Sequence, residues 1–106
     1  MGILDFLRPV DINEGAEEYK ASSDAVLLDV RTPQEYAEGH IPDSINVPLD
    51  LIGKISGAID DKLTPLLVYC YSGARSSAAV DVLKKMGYEN AKNIGGIVNY
   101  RGEIEK

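Results

Sequence analysis

Leu66-Leu67-Val68-Tyr69-Cys70-Tyr71-Ser72-Gly73-Ala74-Arg75-Ser76 carries a strand, a tight loop and the start of a helix in one stretch. The unbroken apolar run before Cys70 predicts a strand covered on both faces, the kind found inside parallel sheets. Gly73 breaks the run, and Ala74 to Met86 then predicts a helix. Ala78, Ala79, Val82, Leu83 and Met86 are assigned to its buried face, Lys84 and Lys85 suit its negative end, and Gly87 closes it. A buried strand followed directly by a helix is the repeating unit of an α/β domain.

Working outward, the same alternation recurs. Ala25-Val26-Leu27-Leu28-Asp29-Val30 predicts a second covered strand. Thr32-Pro33-Gln34-Glu35 has the form of a capping box with proline at the first helical position, and Gly39 ends that short helix. Ser44-Ile45-Asn46-Val47 predicts a brief strand stopped by Pro48. Leu49, Ile52, Ile55 and Ile59 form a helical stripe that Gly53 and Gly57 weaken. Ala91 to Ile94 predicts a last strand, and Pro9 to Lys20 a short strand and a helix. No internal repeat, low-complexity tract or linker interrupts the pattern, so residues 1–106 are read as one domain.

At 106 residues, a domain buries roughly 60–70% of the surface its unfolded chain exposes. Nothing in the composition calls for a metal or a disulfide to hold the fold, and no cofactor motif is present. The 11 basic and 17 acidic residues leave a net charge of −6. That balance argues against nucleic-acid binding, which depends on neutralising phosphates, and against anionic membranes. A small anionic ligand remains compatible, because a local nest of amides binds anions whatever the net charge. Met1 to Arg8 lacks the basic start and apolar length of a signal peptide, and no run reaches a membrane span, so a cytoplasmic monomer is expected.

Cys70 is the single cysteine, so no intramolecular disulfide can form. Alone at a strand end, a cysteine is most simply a packed small hydrophobe. The residues after it point elsewhere. Ligands gather at the carboxyl ends of strands in open parallel sheets. A helix N-terminus offers unpaired N–H groups that stabilise a thiolate. Ser72, Gly73 and Ala74 are small enough to let successive amides turn toward the sulfur, and Arg75 adds a charged fork of donors. Ser72 and Ser76 offer hydroxyls to the same cradle. The expected result is a nucleophilic sulfur beside an anion pocket.

Cys70-Tyr71-Ser72-Gly73-Ala74-Arg75 resembles the active-site loop of rhodanese domains. Leu28-Asp29-Val30-Arg31-Thr32-Pro33-Gln34-Glu35-Tyr36, Gly39-His40-Ile41-Pro42 and Ser44-Ile45-Asn46-Val47-Pro48 are similar to the family's N-terminal signature. Met86-Gly87-Tyr88 and Asn93-Ile94-Gly95-Gly96-Ile97 match its closing helix and Gly-Gly turn. The resemblance implies a five-stranded, mostly parallel sheet with helices on both faces. It also implies a sulfur transfer in which Cys70 takes sulfur from thiosulfate or a small persulfide and passes it to a thiol or cyanide. Tyr71, Ser72, Gly73, Ala74, Arg75 and Ser76 would bind the substrate. Phosphatases of the Cys-x5-Arg type have one more residue in the loop, and the shorter loop here suits sulfur better than phosphate. Tyr71 stands where thiosulfate-using relatives often have Arg, and Tyr100 where the family often has Trp.

His40, the only histidine, is read as a residue that pins a loop rather than as a partner of Cys70. Asp29 and Arg31 have two readings: a structural pair, with Arg31 held by Asp29 or Glu35, or a wall of the pocket beside Cys70. Tyr69 is assigned to the core and Tyr71 to the pocket rim by strand alternation. Two functions from different classes follow: an active sulfurtransferase, or a slow module that docks a partner protein and delivers sulfur to it.

Overall fold

The computed structural model describes residues 10–106. In chain order its elements are α1 (Ile12–Ala21), β1 (Val26–Asp29), α2 (Pro33–Glu38), β2 (Ile45–Asn46), a 3-10 helix (Leu49–Gly57), β3 (Leu66–Cys70), α3 (Ala74–Lys85), β4 (Ala91–Gly96) and a 3-10 turn (Ile97–Asn99). The strands make one sheet in the order β2-β1-β3-β4, parallel throughout. β3 is paired on both sides and buried over its whole length, which is why its sequence is apolar without alternation.

Alternation along β3 sorts its side chains between two cores. Leu66, Val68 and Cys70 face a cluster with Leu28, Val30, Ile52, Ile55, Ala79, Leu83 and Tyr88. Leu67 and Tyr69 face the opposite layer, with Ile12, Leu27, Ile41 and Ile94. Helices therefore cover both faces: α3 and the 3-10 helix on the Cys70 side, α1 on the other. The Tyr88 hydroxyl donates to the Ile59 carbonyl, so the polar tip of that buried ring is satisfied.

The expected fifth strand is not among the described residues. The helix foreseen within Pro9–Lys20 is α1, and it begins so early that only Val10 and Asp11 precede it in the described part. Neither is in a strand; Asp11 is the N-cap and accepts from the Asn13 amide at 2.9 Å. Pro9 lies outside the described residues. The described sheet therefore has four strands.

Two helices differ from expectation in detail. The Leu49 stripe forms a 3-10 helix rather than an α-helix. Its apolar residues at 49, 52 and 55 repeat every three, which matches three residues per turn, and its two glycines remove any preference for the α form. In α3 the buried face is Ser76, Ala79 and Leu83, with Val80 and Met86 packed beside them. Ala78 and Val82, assigned to that face from the sequence, are exposed. Burial of Ser76 against the strand sets the phase of the helix, and spacings of three and four from it reach 79, 80 and 83. β4 also runs further than the expected 91–94, through Gly95 and Gly96.

Candidate active site

Cys70 ends the central strand, so its sulfur sits at the carboxyl edge of the sheet, under the first turn of α3. The chain reverses through Tyr71 and Ser72 and enters the helix at Gly73, whose φ of +104° lies in the left-handed region. A Cβ there would be strained. Gly73 offers no side chain to cap α3, and the sulfur takes that part. Cys70 Sγ accepts from the Gly73 amide at 3.0 Å and from the Ser76 amide at 3.3 Å. Helix N–H groups that would otherwise lack a partner thus converge on the sulfur. The Ser76 hydroxyl lies 3.4 Å from the sulfur.

Burial pushes the Cys70 thiol up, but hydrogen bonding from Ser76 and from the amides of Gly73 and Ser72 outweighs it. The net effect holds the thiol below its ordinary value, which raises the thiolate fraction near neutrality.

β4 closes the cradle from the side. Its pairing with β3 shifts after Val68, so that Asn93 and Gly95 are consecutive partners and Ile94 is skipped. Gly96 then runs against the loop so closely that a Cβ on it would lie 2.2 Å from the Tyr71 carbonyl oxygen. Only glycine fits. Asn93 donates from its amide nitrogen to the Gly73 carbonyl at 3.2 Å, and the Gly95 amide donates to Asn93 Oδ1 at 3.0 Å. The Ser76 hydroxyl is 2.7 Å from that same Oδ1.

Of the seven residues singled out from the sequence, Cys70, Gly73 and Ser76 meet at the sulfur, and Ser72 contributes its amide. Ala74 is exposed on the first turn of α3. Tyr71 lies beyond the end of β3, where the strand's alternation, which would put it on the face of Tyr69, no longer applies; it is 51% exposed at the rim, and its carbonyl accepts from the Val98 amide at 3.1 Å. Arg75 does something the sequence did not reveal. Its fork closes on Glu35, with Nη1 to Oε1 at 2.7 Å and Nη2 to Oε2 at 3.0 Å. Glu35 is also the capping-box residue of α2, where Oε1 accepts from the Thr32 amide and hydroxyl at 3.1 Å each. The Arg75 guanidinium holds the Glu35 carboxyl down to about 2. The clasp therefore ties the first turns of α2 and α3 together, and Arg75 keeps its charge within electrostatic reach of Cys70.

The other charged residues are built into the scaffold. Asp29 and Arg31 form a buried ion pair, with Nη2 to Oδ2 at 2.7 Å, and Arg31 reaches on to the Gly39 carbonyl at 2.7 Å. The pairing with Asp29, rather than Glu35, is the structural alternative read from the sequence. His40 stacks on Tyr36 with ring centres 3.7 Å apart, and its Nδ1 lies 2.8 Å from the Tyr36 carbonyl. Its backbone pairs with Glu105. The Tyr69 hydroxyl accepts from the Ile41 amide and meets the Ser44 hydroxyl, and burial pushes its phenol up.

Beside the cradle, a pocket of about 400 Å3 is lined by Val30, Thr32, Pro48, Leu49, Asp50 and Arg75. It opens at the same end of the sheet as Cys70 and has a largely aliphatic wall. Glu35 was read as a capping residue and the Asn93 to Gly96 stretch only as part of the family match, so their places beside the thiol were not foreseen. The shared Glu of the capping box was visible, but its partner forty positions away was not.

A thiol capping a helix, held by amides at the edge of a parallel sheet, is an arrangement that comparison with known proteins can test. The family profile described as "Rhodanese-like domain" matches residues 13–103. The thiosulfate sulfurtransferase PspE of Escherichia coli is 38% identical over 71 residues, covering 66% of this chain and 68% of its own. A sulfurtransferase of Allochromatium vinosum is 36% identical over 91 residues, covering 84% and 83%. Among solved structures, a rhodanese with anions from E. coli superposes with a TM-score of 0.72 at 34% identity, covering 77% of this chain and 98% of that one. A rhodanese-like domain protein from Staphylococcus aureus gives 0.78 at 28% identity, covering 91% and 94%. The match spans α1 to the end of the sheet and includes every element that builds the cradle, and the chain belongs to the rhodanese-like family.

Proposed function

We propose that this protein is a sulfurtransferase that carries sulfane sulfur as a persulfide on Cys70. The observation that supports this most directly is the sulfur itself, accepting amide N–H groups at 3.0 and 3.3 Å at the start of α3. In the first half-reaction the Cys70 thiolate attacks the outer sulfur of a donor. With thiosulfate, the sulfur–sulfur bond breaks, sulfite leaves with the electron pair, and Cys70–S–S⁻ remains. In the second, an acceptor thiolate or cyanide attacks the terminal sulfur and the Cys70 thiolate is restored. No net oxidant or reductant is needed.

The amides of the loop from Tyr71 to Ser76 would bear the charge of the terminal sulfur. Arg75, committed to Glu35, would act on the arriving and departing anion by its charge and not by a direct fork. That also weighs against phosphoryl chemistry, which needs a free fork around the phosphate. The 400 Å3 pocket beside Arg75 offers room for the body of a small donor or acceptor, thiosulfate or a low-molecular-weight persulfide being the donors we favour. A lone thiol that must stay unpaired between cycles suits a reducing cytoplasm.

Two observations favour a protein acceptor. The chain has no second cysteine to resolve the persulfide, and Tyr71 and Val98 expose apolar surface next to each other at the rim. Intact mass spectrometry before and after thiosulfate or glutathione persulfide tests the proposal. Wild type should gain about one sulfur mass, discharged by cyanide or a thiol, and Cys70→Ser should gain none. Loading that persists in the mutant overturns the reading, and fast discharge only to a partner protein selects the delivery version.

A further inference from the structure

We infer that Asn93 is a positioning residue that holds the Ser76 hydroxyl proton away from Cys70, so that the resting sulfur is gripped by amides and faces an oxygen lone pair. The argument is a count of protons and acceptors. Ser76 has one hydroxyl proton and three neighbours for it: Asn93 Oδ1 at 2.7 Å, the Gly73 carbonyl at 3.0 Å and Cys70 Sγ at 3.4 Å. The Asn93 amide cannot be turned over. Its oxygen receives the Gly95 N–H and its nitrogen donates to the Gly73 carbonyl, and a flip would oppose donor to donor and acceptor to acceptor. The Gly73 carbonyl is served already by Asn93 and by the Ser77 amide at 3.1 Å.

The proton therefore goes to Asn93, the shortest of the three contacts. The Ser76 oxygen is left to accept from the Cys70 S–H while the sulfur is neutral. Once the thiolate forms, the hydroxyl can donate to it only by giving up its bond to Asn93. Asn93 thus opposes the ionisation that the amides promote. The inference rests on Cys70 as the sulfur carrier, but its test needs no sulfur donor, so the two can fail separately.

The test is the pH profile of Cys70 alkylation by iodoacetamide in wild type, Ser76→Ala, Asn93→Ala and the double variant. Arg75 on α3 is electrostatically coupled to the thiol, Glu35 on α2 and Asp29 on β1 act on Arg75 in turn, Asp50 lines the same pocket as Arg75, and none is altered. Asn93→Ala should lower the midpoint by about 0.5–1 pH unit when Ser76 is present and leave it unmoved when it is not. Ser76→Ala alone should not raise the midpoint. A rise in Ser76→Ala, which leaves α3 its amides and a smaller side chain, shows that the hydroxyl already donates to the thiolate and overturns the inference. So does an Asn93→Ala shift that is the same with and without Ser76. Thermal melts confirm that each variant is folded, and if Asn93→Ala is not, the direction in Ser76→Ala decides.

Discussion

Replacing Glu35 with Gln removes one charge and one acceptor from the clasp between α2 and α3 and keeps the side chain's size and its capping bond. Gln is as good as Glu in a capping box, so its side-chain oxygen still accepts from the Thr32 amide. What disappears is the paired charge opposite Arg75 and, because the Gln nitrogen donates, the acceptor for Arg75 Nη2. A carboxyl held at about 2 instead of 4.5 corresponds to roughly 3 kcal/mol of preference for its ionised form. Side-chain exposures of 37% for Arg75 and 30% for Glu35 let solvent screen the pair, so about 1–1.5 kcal/mol is expected to survive. Glu35→Gln should therefore lose that much stability at pH 7, or about 5 °C of melting temperature. The sign with pH follows from the depressed value: the contribution is whole above 4.5 and disappears as pH falls toward 2. Urea titrations of both proteins at pH 7 and near pH 2.5 measure it. A stability difference that is absent at pH 7, or that is the same at both pH values, refutes the reasoning.

Other positions give sharper losses. Gly96→Ala should cost about 2–4 kcal/mol and abolish sulfur loading, because its methyl group meets backbone at Tyr71 that cannot move without opening the cradle; melting and mass spectrometry report both. Asp29→Asn leaves the Arg31 guanidinium buried without its counter-charge and should cost about 3–5 kcal/mol by chemical denaturation. A loss below 1 kcal/mol would mean that water reaches the pair.

Much of this architecture was legible in local patterns because the forces involved are local or averaged along the chain. The apolar run at Leu66–Tyr69 needs burial on both faces, and that alone puts it in the middle of a parallel sheet. Thr32, Pro33 and Glu35 define a helix start whose bonds close within four residues. Cys70 followed by Gly73 and Arg75 marked the cradle, since only a loop curling toward a charged or reacting atom needs that combination. Where the period itself was ambiguous, prediction slipped: three-residue spacing at Leu49–Ile55 became a 3-10 helix, and α3 turned so that Ser76 rather than Ala78 faces inward.

The rest was settled by groups distant in sequence. Arg75 looks from its neighbours like an anion ligand, yet a carboxylate delivered by α2 competes for the fork and wins it with two short bonds. Asn93 and Gly96 lie some twenty residues beyond the thiol, and nothing local distinguishes them from any strand end. They act on Cys70 because the β3–β4 pairing shifts register after Val68, bringing β4 against the loop. Sequence alone determined that a thiol would stand at the head of a helix. Which donors reach it, and which are held back, is decided by tertiary packing, because hydrogen-bond partners are assigned by competition in space and not by order along the chain.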